Sequence, residues 1–516
     1  MRFNRSAGTL VHPTSFATKY GIGDLGPSAR TFLDFLVETD QAIWQVLPLG
    51  PTGFGNSPYA SYSAFAGNIY IISPEILVDK NLISRETAKK AEMPITTSVN
   101  YEQVISNKRA LLEVSAKAFY SGIDSSAEQA FDAFKKENAY WIHDYVHFIT
   151  ALEINNGNPW NQWGKRLSRQ EPDAIYNLET EHAERIRFHY WTQFEFFNQW
   201  YALKKTASEN EIRIVGDIPI FVDHNSADVW SHSQYFSVDE HGDRELVAGV
   251  PPDYFSETGQ LWGNPQYKWQ TMEKDGFKWW IKRFEQMFSM FHAIRVDHFR
   301  GFDAYWEVKA TENNAINGRW VKGPGPKLFD TIKETLGDLP IIAEDLGVIT
   351  PEVVELRERY NFPGMKILQF AFTDSYANSF LPHNYQPNCV TYTGTHDNDT
   401  TLGWYHQAPE IEKHRVREYT RSSGQEVNWE LIRLGLLSVA DQAIVPLQDY
   451  MNLGSDHRMN LPGTATGNWD WRYTPEMLEH VDKKRIKELI KISNRDLRNS
   501  DQDANLTKIE TEEAGY

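Results

Sequence analysis

The sequence predicts a single (β/α)8 TIM barrel over residues 1–516, with helical and loop insertions. Three observations carry the prediction. Eight short apolar runs, near positions 8, 45, 214, 296, 342, 368, 391 and 445, read as strands. Helical periodicity separates most of them, as a parallel sheet requires. Several runs finish in acidic side chains, and the carboxyl ends of barrel strands are where such folds build sites. A doubly wound open sheet is the alternative.

The elements follow in chain order. Ala7–Val11 is the first strand. Gly21-Ile22-Gly23-Asp24-Leu25-Gly26 does not match the dinucleotide fingerprint and reads as a turn. A helix over Ser28–Glu38 carries Phe32, Leu33, Phe35 and Leu36 on one stripe. Ile43–Leu49 is the second strand. The Gly/Pro/Ser/Tyr-rich stretch Gly50–Asn68 is a shaped surface loop holding Tyr59 and Ser61. Residues 77–165 read as a helical insertion, with helices over Tyr101–Ala118 and Ala127–Glu153. A helix over Glu179–Thr206 leads into the third strand, Ile212–Asp217. Residues 223–269 are expected as one long active-site loop, because structureless stretches of that length are usually functional. Strands at Ala293–Phe299, Pro340–Glu344, Met365–Phe372, Cys389–Thr395 and Ala443–Leu447 then alternate with helices. Those helices lie near Lys278–Met290, Pro326–Leu336, Pro351–Arg359 and Val427–Ala440. Asp501–Tyr516 reads as a polar, frayed tail.

Composition excludes some partners. A net charge of -18 leaves nothing to neutralise phosphates, so no nucleic-acid partner is expected. No apolar run approaches the roughly 20 residues that a membrane helix needs. Met1–Arg5 leads into no apolar stretch of the kind a secretory signal uses. The single cysteine, Cys389, cannot form an intramolecular disulfide and suits a reducing compartment, so the cytoplasm is expected. Aromatic residues make up 13% of the chain, including 17 Trp and 24 Tyr. That richness fits a large core, and it also fits stacking surfaces for a flat, weakly polar ligand such as a sugar ring.

The chemistry gathers at the strand ends. Arg295 and Asp297 share one face of the fourth strand, since side chains two apart point the same way. A cation and a carboxylate there are costly to bury unless paired or used. Asp217, Asp297, Glu344 and Asp397 end the third, fourth, fifth and seventh predicted strands, so the barrel brings them to one rim. Such a set suits glycosidic bond cleavage by two carboxylates, a nucleophile and an acid/base, roughly 5–5.5 Å apart in a retaining enzyme. A lone strand-end Asp is often only a helix cap. With Arg295 beside Asp297 and His396 beside Asp397, the joint reading prevails. His298, His396, Asp297, Glu344 and Asp397 could also ligate zinc, but no metal-binding spacing supports it. No metal or organic cofactor is expected.

The segments around Asp297, Glu344 and Asp397 resemble the signature regions of the α-amylase superfamily. Other runs resemble, more narrowly, the 4-α-glucanotransferases called amylomaltase or disproportionating enzyme. These runs are Ser57-Pro58-Tyr59-Ala60-Ser61 with Ser63–Asn68, Gly216–Val222, Gly249–Pro265, and Asn460-Leu461-Pro462-Gly463-Thr464 with Asn468-Trp469. The resemblance spans about residue 5 to residue 475. It implies retaining transfer of 1,4-α-glucan segments between maltooligosaccharides. In it Asp297 is the nucleophile, Glu344 the acid/base, and Asp397 stabilises the transition state with His396, while Arg295 orients Asp297. It further implies sugar contacts from Ser61 and Asp253 and from Tyr59, Tyr254, Phe255 and Trp262, whose rings could otherwise serve loop packing, with Asp217 either a contact or a brace of the rim and Asn460 either a contact or part of a structural turn. The stretch after the eighth strand is too short for the β-sandwich domain of typical α-amylases, which also fits the narrower family. A glucan hydrolase and a non-catalytic glucan-binding barrel are the rivals.

Overall fold

The computed structural model describes residues 4–122, 125–252, 256–464 and 466–496. Eight strands form one sheet: β1 (Ser6–Leu10), β2 (Ile43–Gln45), β3 (Arg213–Ile218), β4 (Ala293–Val296), β5 (Ile341–Ala343), β6 (Gly364–Ile367), β7 (Cys389–Tyr392) and β8 (Gln442–Pro446). The order is β6-β7-β8-β1-β2-β3-β4-β5, and every pairing is parallel. Between β5 and β6 the Ala343 N–H donates to the Pro363 carbonyl at 2.9 Å, which nearly closes the ring. The predicted barrel is therefore the observed fold.

The strands are nearly continuous apolar runs because both of their faces are covered. Each of β4 to β7 stops short of its predicted carboxyl end. β4 ends at Val296 and β5 at Ala343. β6 gives way to a 3-10 turn at Leu368–Phe370, and β7 ends at Tyr392. Beyond these points the chain turns into the rim loops, where polar side chains take part in holding the backbone. Gln369, for example, donates its side-chain amide to the Asp399 carbonyl at 2.8 Å.

The first helix of the barrel, Pro27–Glu38, starts with proline at its first turn, where a missing N–H costs nothing. Its predicted stripe is the buried one. Phe32 stacks on Phe16 at 5.3 Å and meets Trp44 of β2 edge-on at 5.5 Å. Between β2 and β3 the chain is helical, with long helices at Tyr101–Gly122, Ser125–Glu137, Ile142–Ile154 and Ala183–Glu209. The last buries Trp191, Phe196, Phe197 and Trp200. Two polar ties join this region to the barrel side. Buried Lys108 donates to the Ile72 carbonyl at 2.8 Å and pairs with buried Asp24 at 3.4 Å. Tyr101 donates its hydroxyl to the Trp469 carbonyl at 2.6 Å.

The stretch 223–269 is not structureless. It holds a short helix, Ala227–Ser231, and two strands, Leu246–Val250 and Gln260–Pro265. These strands join Ala304–Lys309 and Gly318–Lys322 in a second, four-stranded antiparallel sheet. No strand at 304–322 is among the sequence expectations. Its charged residues Glu307, Lys309, Arg319 and Lys322 hide the short β pattern, and only pairing with the earlier segment buries Val247 and Val308.

Candidate active site

Strand register assembles the centre. Asp217 of β3 stands directly opposite Arg295 of β4, and Val296 opposite Ala343 of β5. One residue past that last pair, Asp297 and Glu344 leave adjacent strands at the same level. Backbone bonds extend the ladder by one step: Asp297 N–H to the Ile218 carbonyl and Glu344 N–H to the Val296 carbonyl, both 3.0 Å. Four of the predicted residues are thus set by β-pairing alone.

Arg295 is buried and donates to Asp217 Oδ2 at 2.5 Å and to Asp297 Oδ1 at 2.9 Å. Its burial disfavours the cation, but Asp217 and Asp297 outweigh that and hold it firmly charged. The Asp217 side chain has 0% exposure and also accepts the Tyr59 hydroxyl at 2.8 Å. Burial pushes its carboxyl up to about 7, against the pull of Arg295. Asp297 keeps 30% of its side-chain surface open, so of these two carboxylates it is the one a ligand can reach.

Glu344 is held by two backbone donors. The His298 N–H reaches Oε2 at 2.6 Å and the Leu346 N–H reaches Oε1 at 2.8 Å. The first depends on His298 taking the left-handed conformation, φ 50°, which is uncommon for a residue with a side chain and turns its N–H toward β5. Burial, reinforced by the Asp297 charge, raises the Glu344 carboxyl to about 7. A carboxyl raised in this way can hold the proton that a general acid must give.

Asp397 lies on the loop after β7 with 47% of its side chain exposed, beside buried His396, whose Nε2 is 3.5 Å from Asp397 Oδ2. Burial lowers the His396 ring below its usual value, so it is neutral. Its ring stacks on Tyr59 at 5.2 Å, and the Trp469 ring packs on both, at 5.7 and 5.9 Å. Asn460 donates its side-chain amide to Asp397 Oδ1 at 2.6 Å.

The other predicted contacts divide. Trp262, 39% exposed, meets His298 edge-on at 4.8 Å, beside the turn that holds Glu344. Ser61 keeps its hydroxyl within its own loop, 3.0 Å from the Pro51 carbonyl and 2.8 Å from that of Ser63. Asp253, Tyr254 and Phe255 lie outside the described residues. Trp469 and Arg458 are parts of the assembly that the sequence reading does not single out. Trp469 does belong to the Asn468-Trp469 run quoted above, so that run is the signal for it.

Paired carboxylates at the carboxyl rim of an eight-stranded parallel barrel, one carrying an arginine and the other raised toward neutrality, define a class: the barrel enzymes that act on glycosidic bonds. Comparison with known proteins narrows the class. The sequence profile described as 4-alpha-glucanotransferase matches residues 11–478, and the chain belongs to that family. A 4-alpha-glucanotransferase of Thermus thermophilus is 47% identical, covering 96% of this chain and all of that protein. One from Synechocystis is 48% identical, over 92% of this chain and 95% of its own. Among solved structures, the amylomaltase of Streptococcus agalactiae in complex with acarbose superposes with a TM-score of 0.92 at 38% identity, covering 95% of this chain and 99% of that one. The chain is an enzyme, a transferase of this family.

Proposed function

We propose that the enzyme moves segments of 1,4-α-glucan from one maltooligosaccharide to another, with retention, through Asp297, Glu344 and Asp397. Asp297 attacks the anomeric carbon of the donor while Glu344 gives its proton to the departing 4-oxygen. The shortened chain leaves and a β-glucosyl ester on Asp297 remains. Glu344, now a carboxylate, takes the proton of an acceptor 4-hydroxyl, whose oxygen displaces Asp297. Two inversions restore the α configuration. Arg295 orients Asp297, and Asp217 braces Arg295 and Tyr59 rather than touching sugar. Asp397 and neutral His396 bind ring hydroxyls at the reacting sugar. Tyr59 and Trp262 wall the cleft, and excluding water lets the ester wait for a sugar. For Asp253, Tyr254, Phe255, Ser61 and Asn460 the family resemblance supports contacts to the glucan.

One observation carries this reading. Asp297 and Glu344 stand at one level of adjacent strands, the first hydrogen-bonded by Arg295 and the second raised to about 7 by burial. The substrate class follows from the family and from the acarbose complex of the S. agalactiae relative. Among the described residues no helix is long and apolar enough to cross a membrane. The lone, buried Cys389 supports placing the enzyme in the cytoplasm.

Incubation with maltotriose alone tests the reading. Chromatography should show glucose together with longer oligomers. Only shorter sugars would make it a hydrolase, and unchanged maltotriose would leave a binding protein.

A further inference from the structure

Asp397 is the one carboxylate of the three that no strand holds. β7 ends at Tyr392, and a loop carries the chain to an exposed Asp397. Its hold comes instead from a second loop that follows β8. The Asn460 N–H donates to the His396 carbonyl at 3.1 Å. The Asn460 side-chain amide donates to Asp397 Oδ1 at 2.6 Å. Both loops meet on one guanidinium. Arg458 Nη2 donates to the Asp397 carbonyl and Arg458 Nε to the Asn460 carbonyl, each at 2.6 Å.

We infer that Arg458 is a positioning residue for Asp397. Its planar fork fixes the two carbonyls relative to each other, and so sets where the Asn460 amide meets the Asp397 carboxylate. Arg458 makes no hydrogen bond to the carboxylate itself: Nη2 and Nε both donate to backbone oxygens, so beyond its charge it acts on Asp397 through the backbone. A lysine offers a point charge and cannot span both acceptors with fixed geometry. The loop bearing Arg458 is anchored on its far side. Gln448, just past β8, donates to the His457 carbonyl at 3.3 Å, and the Trp471 ring N–H donates to His457 Nδ1 at 3.1 Å. The clasp thus ties Asp397 to the β8 end of the barrel, which compensates for the early end of β7.

The inference rests on the assignment of Asp397 to the reacting centre, and the test separates the two. Steady-state disproportionation of maltotriose is measured for wild type, D397N, R458A and R458A/D397N, with thermal unfolding of each. R458A should lower kcat about 10–100-fold, the cost of a misplaced catalytic group, with KM within a few-fold of wild type. D397N should then cost much less on the R458A background than on wild type. Guanidinium ion at tens of millimolar should restore part of the R458A activity, while sodium chloride at the same concentration does not. Should R458A not fold, R458K serves the same cycle, with a smaller loss of kcat and the same non-additivity. Unchanged kcat in R458A, a rise confined to KM, or losses that multiply independently would overturn the role of Arg458. Full activity in D397N would instead remove the assignment of Asp397.

Discussion

Arg295 and Asp217 face each other across paired strands, with Arg295 Nη1 2.5 Å from Asp217 Oδ2 and both side chains buried. The guanidinium also reaches Asp297, so Asp217 is the fixed end of a three-group relay that ends on the exposed carboxylate. Removing Asp217 leaves buried Arg295 with Asp297 as its remaining carboxylate partner and takes the acceptor from the Tyr59 hydroxyl. D217A should lose about 1–3 kcal/mol of unfolding free energy, read by denaturant titration. D217N keeps an acceptor for the Tyr59 hydroxyl and should lose less. A D217A chain as stable as wild type would contradict the brace.

Asp297 is the group expected to bond to the sugar. D297N keeps the volume and one acceptor for Arg295, so far-ultraviolet dichroism and the unfolding midpoint should stay near wild type. Turnover of maltotriose should fall below detection. Substantial residual transfer would remove Asp297 as nucleophile.

Glu344 must be protonated to act as acid, and its carboxyl sits at about 7. Wild-type kcat/KM should therefore decline as pH rises through 7. E344Q should lower kcat by about 10²–10⁴-fold, the usual worth of a placed acid/base, and flatten that alkaline limb. A limb that persists unchanged in E344Q would assign it to another group.

The same carboxyl makes a stability prediction. Its folded value lies above that of a free glutamate, so between about 4.5 and 7 the folded state holds a proton that the unfolded chain has released. Unfolding free energy then falls as pH rises through that window. E344Q cannot titrate. Its thermal midpoint relative to wild type should be higher at pH 8 than at pH 5, and a difference independent of pH would exclude the linkage.

Trp262 packs its ring against His298, next to the backbone donor that holds Glu344. W262A should open this side of the cleft to water. The ratio of reducing ends formed to longer oligomers made should rise several-fold. An unchanged ratio would place water exclusion elsewhere.

Much of this enzyme is legible in local pattern. Strand apolarity, helix periodicity and acidic strand ends report local physics, so the eight strands and Arg295, Asp297 and Glu344 stand in the sequence almost as they stand in the barrel, whereas Asp397, expected at the end of the seventh strand, lies on the loop beyond Tyr392. Relationships between distant segments do not. The sheet joining Leu246–Val250 and Gln260–Pro265 to Ala304–Lys309 and Gly318–Lys322 forms because pairing satisfies backbone groups that no local pattern announces.

What the sequence determined by itself is therefore the barrel and the chemistry at its strand ends, because alternation and strand termini are properties of neighbours along the chain. Tertiary structure alone decided how those groups are held. It enclosed Asp217 rather than leaving it open to sugar, and it turned His298 toward Glu344. It also brought Arg458 across 61 residues to the Asp397 carbonyl. Each of these depends on burial and on hydrogen bonds that exist only once separate strands and loops have met.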